Sequence, residues 1–287
     1  MSKVGKLCLG TVQFGQNYGI NNRVGLLGDV EIFKIFTYAE QKGITQLDTA
    51  DVYGNALDVI GRYHLYSSQK FLINSKFSNL SISLESVLEK SLIRLHVDKL
   101  DLYQFHDYDE FEKNPNLHDQ LIALKKSHLV ENIGVSVYSC DEMLKLSEYD
   151  FIDVIQFPFN LLDNQRQRQK AMQLCIERGK ILHSRSVFLQ GLFYKDFDEY
   201  PDNLRQLLPY TKKLREISTE CNIQLSQLAL NYALQEADIN TVIIGVDSLD
   251  QLKENVENCK KTIPPTVIDK INTIDVKEIN LLYPKNW

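Results

Sequence analysis

Eight times along its 287 residues the chain passes from a short β-rich run into a helical or loop segment, and this alternation restricts the available folds more than any other feature. The runs are 6–9, 45–48, 71–75, 100–105, 132–136, 154–157, 180–184 and 240–244. Several are uninterrupted apolar stretches, as expected for parallel strands covered on both faces. Between them lie patterns of helical period. Segment 30–42 sets Ile32, Phe33, Ile35, Phe36 and Ala39 on one face, and 83–95 repeats Leu84, Val87, Leu88 and Leu92. Segments 164–178, 210–221 and 249–258 behave likewise. Gly43 and Gly179 fall just behind helices, where a left-handed residue closes the last turn. The pattern predicts an α/β fold, a (β/α)8 TIM barrel, with a doubly wound parallel sheet as the alternative. No linker, low-complexity tract or repeat divides the sequence, so 1–287 is expected to be one domain. Within it, 188–203 reads as an extended loop after the seventh strand. The stretch 262–287 reads as a C-terminal tail with one short helix.

Charge and cysteine usage narrow the function. Thirty-two basic residues against 38 acidic ones give a net charge of −6. A sequence-independent nucleic-acid binder needs a basic excess, so a small-molecule protein is expected, with no nucleic-acid partner. Met-Ser-Lys-Val-Gly-Lys leads into only a short apolar run, and no apolar stretch nears the ~20 residues of a membrane helix. A cytoplasmic chain without a membrane partner is expected. The five cysteines, Cys8, Cys140, Cys175, Cys221 and Cys259, are scattered and odd in number, which reads as free thiols rather than a disulfide frame or metal site. Asn79-Leu80-Ser81 matches a glycosylation sequon and is read as a chance match.

In a (β/α)8 barrel the working residues sit at the C-terminal strand ends and in the loops behind them. Here polar residues end one apolar run after another: Asp48, Lys76, His106, Ser136, Gln156 and Arg185, with Gly245 behind the last. Asp48, Tyr53, Lys76 and His106 belong to neighbouring strands and can converge. A buried ammonium at Lys76 needs a carboxylate, which Asp48 can supply. A phenol beside that ammonium is expected to have its pKa drawn from about 10 toward neutrality, making Tyr53 a proton donor. His106 can orient a carbonyl oxygen. The set suits protonation of an oxygen while hydride reaches its carbon.

Over essentially its full length the chain resembles the aldo-keto reductase family. The resemblance rests on Leu-Gly-Thr-Val-Gln-Phe-Gly, Leu-Asp-Thr-Ala-Asp-Val-Tyr-Gly, Ile-Gly-Val-Ser, Ser-Val-Phe-Leu-Gln-Gly-Leu and Ile-Ile-Gly-Val-Asp-Ser-Leu-Asp-Gln-Leu-Lys-Glu-Asn. It implies a carbonyl reductase using NADP(H), with NAD(H) as an alternative. It places the catalytic tetrad on Asp48, Tyr53, Lys76 and His106. It places the carboxamide-binding pair on Ser136 and Gln156. The first motif contributes Gly10 and Thr11 to the cofactor site. The pyrophosphate loop falls on 186–192, with Ser186, Phe188, Gln190 and Gly191, and the adenosine side on Gly245, Asp247, Ser248, Gln251 and Asn255.

Three positions depart from common family patterns. Val137 stands where an asparagine often helps to hold the carboxamide. Arg185 stands where an aromatic often stacks on the nicotinamide; a guanidinium can stack too, or can meet an anion. Asp247 stands near the expected 2′-phosphate site, where an acid would repel phosphate but could accept from a ribose hydroxyl, favouring tolerance of NADH. Substrate selection is expected from Phe14, Gln16, Asn17, Tyr18, segment 107–116, Phe188 and Phe193, with Trp287 either at the mouth or at a frayed end. This mixture suits a sugar or nucleotide-sugar carbonyl. Two other functions fit parts of the sequence: a Schiff-base aldolase using Lys76, and a non-catalytic dinucleotide-binding regulatory subunit.

Overall fold

Each of the eight β-rich runs forms a strand in the computed structural model, which describes residues 2–78 and 83–287. The strands are β1 (Leu7–Gly10), β2 (Gln46–Ala50), β3 (Leu72–Phe77), β4 (Leu100–Phe105), β5 (Val130–Ser136), β6 (Val154–Pro158), β7 (Ile181–Arg185) and β8 (Thr241–Ile244). All neighbours pair in parallel, and β8 closes back on β1, so the barrel is formed and the open doubly wound sheet is not. The sequon at 79–81 lies outside the described residues.

Helices cover the barrel through the apolar faces expected of them. Ile32, Ile35, Phe36 and Ala39 of helix Asp29–Gln41 are buried, and Gly43 closes the turn behind it at φ 80°. Gly179 does the same behind helix Gln165–Glu177 at φ 76°. The segment 188–203 is not extended. It coils into 3-10 turns at Leu189–Tyr194, Phe197–Glu199 and Asp202–Leu207. Burial of Leu189, Leu192, Phe193 and Tyr200 folds it down on the barrel. After residue 262 come helix Pro265–Asn272 and two 3-10 turns. The Trp287 indole donates to the Leu281 carbonyl at 2.9 Å and packs against the core, so it is neither frayed nor part of the mouth. All five cysteines are free.

The barrel interior is unusually polar for this architecture, whose centre is normally filled with branched apolar side chains. Asp48, Asn74, Lys76, Gln104, Gln156 and His183 are all buried. His183 is a buried histidine with an unsatisfied ring nitrogen. It is 6% exposed, its Nδ1 has no partner, and it faces a second cavity of about 350 Å³ at the N-terminal ends of the strands. Burial, aided by the Lys76 charge, pushes its pKa down to about 3. The unfolded imidazole titrates near 6.5, so between those values the unfolded chain binds the extra proton. This group's contribution to stability is therefore complete above pH 6.5 and declines on acidification toward pH 3, by up to about 1.4 kcal/mol per pH unit. Urea denaturation at pH 4.5 and 7.5 is expected to show a shallower loss in His183→Leu than in wild type.

Candidate active site

The strand register sets the central residues side by side. Asp48 lies next to Gly10 and Asn74, Lys76 next to Ala50 and Gln104, and Ser136 next to Gln156. The Lys76 ammonium bonds Asp48 Oδ1, and the Gln156 amide nitrogen donates to Asp48 Oδ2 at 2.8 Å. Lys76 is 2% exposed, so the ion pair is enclosed. The Thr11 hydroxyl donates to the Asp48 carbonyl at 3.0 Å and ties β1 to the same point.

Tyr53 stands on the turn after β2, and two glycines hold that turn. A Cβ on Gly15 would lie 1.8 Å from the Tyr53 carbonyl oxygen, and one on Gly54 would lie 2.1 Å from the Gly15 carbonyl oxygen. Gly54 also has φ 54°, in the left-handed region that favours glycine. The loop after β1 therefore presses its backbone directly onto the turn that carries the phenol.

Around this turn the side chains converge. The Lys76 ammonium lies 5.6 Å from the Tyr53 ring centre, and the His106 ring meets that of Tyr53 edge-on at 5.7 Å. His106 Nδ1 is 2.8 Å from the Ser78 hydroxyl. Burial, then the charges of Lys76 and Arg185, push the His106 pKa down to about 3, so the imidazole is neutral at cellular pH. The phenol does not follow the sequence expectation. Its pKa is raised rather than drawn toward neutrality, first by burial and then by the Asp48 carboxylate, with Arg185 opposing. Burial is the larger cause, since a phenolate there would be poorly solvated, and it would also face the Asp48 carboxylate. Tyr53 is thus a firmly protonated phenol.

These residues line one cleft of about 690 Å³ at the C-terminal strand ends. It is also lined by Gly10, Thr11, Ser136, Gln156, Arg185, Ser186, Phe188, Gln190, Gly191, Gly245, Asp247, Gln251 and Asn255. Ser248 does not line it; its hydroxyl caps helix Leu249–Cys259 by accepting from the Gln251 amide. Phe14 and Phe193 are core residues, Phe14 packing 5.4 Å from Phe36. Segment 107–116 stays outside the cleft, where Asp107 caps helix Tyr108–Lys113. Sequence reading missed Gln13, Asn21, Tyr138, Tyr194 and Glu254, which do line it. They sit in loops and helix faces, where no strand end marks them.

Four features of the cleft bear on a dinucleotide. Gln156 must turn its amide nitrogen to the Asp48 carboxylate, which can only accept, so its Oε1 faces the other way, fully buried and without a partner. Such an orphaned acceptor costs stability unless a ligand supplies a donor. Ser186, Leu189 and Gln190, none of them glycine, adopt left-handed φ of 59°, 47° and 53°, followed by Gly191 at 85°. Backbone strain of this kind concentrates at ligand clamps. The far end is acidic: Asp247 and Glu254 line it, while the nearby Lys253 pairs with Asp250 at 3.0 Å. Above the middle, the Gln190 amide donates to the Tyr18 hydroxyl at 2.9 Å and latches the β1 loop to the β7 loop.

The family model described as "Aldo/keto reductase family" matches residues 6–276. The chain belongs to the aldo/keto reductase family. Among curated relatives of this aldo/keto reductase is "Aldo-keto reductase yakc [NADP(+)]" of Schizosaccharomyces pombe, 24% identical, with 94% of this chain and 89% of the relative covered. Another is "NADH-specific methylglyoxal reductase" of Escherichia coli, 23% identical, covering 61% of this chain and 60% of the relative. Among solved structures, an aldo-keto reductase from Bacillus halodurans in its holo form superposes with a TM-score of 0.76 at 20% identity, over 95% of this chain and 94% of that one. The shared fold agrees with the barrel described above.

Among the described residues no helix is long and apolar enough to cross a membrane, and no group of metal-ligating side chains is assembled.

Proposed function

We propose that this aldo/keto reductase reduces an aldehyde or ketone, of sugar or nucleotide-sugar type, in the cleft above Asp48 and Lys76. The nicotinamide cofactor, when bound, supplies the hydride. The observation that carries the reading is the buried orphan acceptor of Gln156 beside the Ser136 hydroxyl. A primary carboxamide needs one acceptor for its N–H and one donor for its carbonyl, and these two side chains offer that pair without the asparagine that Val137 replaces.

The chain's own residues account for the rest. Tyr53 holds the proton that the substrate oxygen takes as its negative charge develops. Lys76 and Asp48 fix the charge beneath it. Ser78 engages His106 Nδ1, which leaves Nε2 of a neutral imidazole to orient the carbonyl oxygen. Ser186 and the left-handed turn at 186–191 cradle the pyrophosphate, and Gln251 and Asn255 flank the adenosine end. Gln13, Gln16, Asn21 and Asn22 give the cleft polar walls, which suit a hydroxylated substrate. The aldolase alternative is less well supported. Lys76 is enclosed and engaged by a carboxylate, so its amine is held in an ion pair rather than free as a nucleophile. A regulatory, non-turning-over role remains the outcome to be read if reduced cofactor binds tightly while no carbonyl is consumed.

The test is oxidation of NADH and NADPH, side by side, against aldehydes, keto-sugars and nucleotide-linked keto-sugars. Turnover is expected with at least one keto-sugar class; tight cofactor binding with no turnover across the panel would remove the reductase reading. NADP(H) and NAD(H) are both read as usable. Asp247 can accept from a ribose 2′-hydroxyl and would repel a 2′-phosphate. Asp247→Ala is therefore expected to raise the NADPH/NADH ratio of kcat/KM by about tenfold, roughly one charge contact. An unchanged ratio would remove the role of that acid.

A further inference from the structure

We propose that Arg185 makes the cofactor site select for redox state, binding the reduced dinucleotide more tightly than the oxidised one. The inference rests on the reading that Ser136 and Gln156 hold the nicotinamide carboxamide, and it concerns a property that reading does not require.

Arg185 ends β7, half-buried in the cleft wall. Its guanidinium is fixed on three sides. Nε donates to the Ser136 hydroxyl at 3.2 Å, Nη2 to the Val137 carbonyl at 3.0 Å and Nη1 to the Ser186 hydroxyl at 3.3 Å. Its plane lies 4.2 Å over the Tyr138 ring. All three hydrogen-bonding partners are neutral, and among the described residues no ion pair engages Arg185. The carboxylate at the same end, Asp48, is bonded to Lys76, while Asp247 and Glu254 lie at the adenosine end. Among the residues that line the catalytic end of the cleft, Arg185 is therefore the cation without a carboxylate partner. That charge is felt by its neighbours: Arg185 acts to lower the pKa values of both Tyr53 and His106.

A nicotinamide ring is neutral when reduced and cationic when oxidised. The rest of the dinucleotide, its phosphates included, has the same charge in both states. A carboxamide received by Ser136 brings the ring next to the guanidinium bonded to that same hydroxyl. Like charges in a partly desolvated wall repel, and screening there is weak. The penalty falls on the oxidised form alone. An aromatic side chain at the end of β7 would impose none. Arg185 thus speeds departure of the oxidised cofactor and makes the reverse, alcohol-oxidising direction need more of it.

The measurement is the dissociation constant of NADH, NAD+, NADPH and NADP+ for the whole protein, by isothermal titration calorimetry, which needs no substrate and no turnover. In wild type the oxidised form is expected to bind about tenfold more weakly than its reduced partner, a difference of about 1.4 kcal/mol. Arg185→Gln, which keeps hydrogen bonding and removes the charge, is expected to bring the ratio close to one, chiefly through tighter binding of the oxidised form. Arg185→Lys is expected to keep most of the ratio. Tyr138→Leu, which removes the ring under the guanidinium but not the charge, is expected to leave it in place and so separates charge from packing. Equal binding of both states by wild type, or a ratio unmoved in Arg185→Gln, overturns the proposal while leaving the reductase reading intact. Failure of wild type to bind either state overturns both.

Discussion

Replacing Tyr53 by phenylalanine is expected to lower kcat by about 10²–10⁴-fold, the range for loss of a positioned proton donor, while cofactor affinity is retained. The phenol enters no hydrogen bond that supports the fold among those described, and its turn is held by backbone contacts at Gly15 and Gly54 rather than by the hydroxyl. The ring would still pack against His106 at the same edge-on contact. A cofactor-loaded Tyr53→Phe protein that turned over near the wild-type rate would show that the proton comes from elsewhere. His106 is the next candidate, and its depressed pKa makes it a poor source at neutral pH, because it carries no extra proton to give. Steady-state rates from pH 6 to 9 in both proteins provide the check.

The second large effect is on stability. Asp48→Asn leaves the Lys76 ammonium enclosed without its counter-charge and takes the strongest acceptor from Gln156. Breaking one partner of a buried pair costs about 3–5 kcal/mol, so unfolding in urea is expected well below the wild-type midpoint. Replacing both members, as in Asp48→Leu with Lys76→Met, removes the stranded charge and is expected to recover much of that loss. It is not expected to restore turnover. Recovery of activity together with stability would mean that the pair serves the fold and not the chemistry.

Most of the barrel could be read from the sequence because its strands are buried on both faces, which leaves apolar runs that few other elements produce. Asp48, Tyr53, Lys76 and His106 could be found for the same reason, since each lies at or just beyond the end of such a run. What could not be read is set by partners distant in sequence. The direction of the Tyr53 pKa depends first on how deeply the phenol is buried and then on its nearness to the Asp48 carboxylate, and only the three-dimensional arrangement decides both. The Ser248 hydroxyl accepts from the Gln251 backbone amide, a contact that depends on where helix Leu249–Cys259 begins. The segment 188–203 looked open because its apolar residues follow no single period; they are buried by a succession of short turns instead. Nothing in sequence separates His183 from His64: both ring nitrogens of His64 are satisfied, whereas His183 opens onto a cavity on the far side of the barrel.

The backbone contact between Gly15 and the Tyr53 turn has a practical consequence for engineering. Loops at a barrel mouth are usually treated as exchangeable modules, grafted from one enzyme to another to change what it accepts. In this chain the segment after β1 cannot be traded that way. A donor loop lacking a glycine at position 15 would push Tyr53 out of register before any new substrate arrived. Redesign that keeps 10–15 and varies only residues beyond Gln16 leaves Tyr53 where it stands.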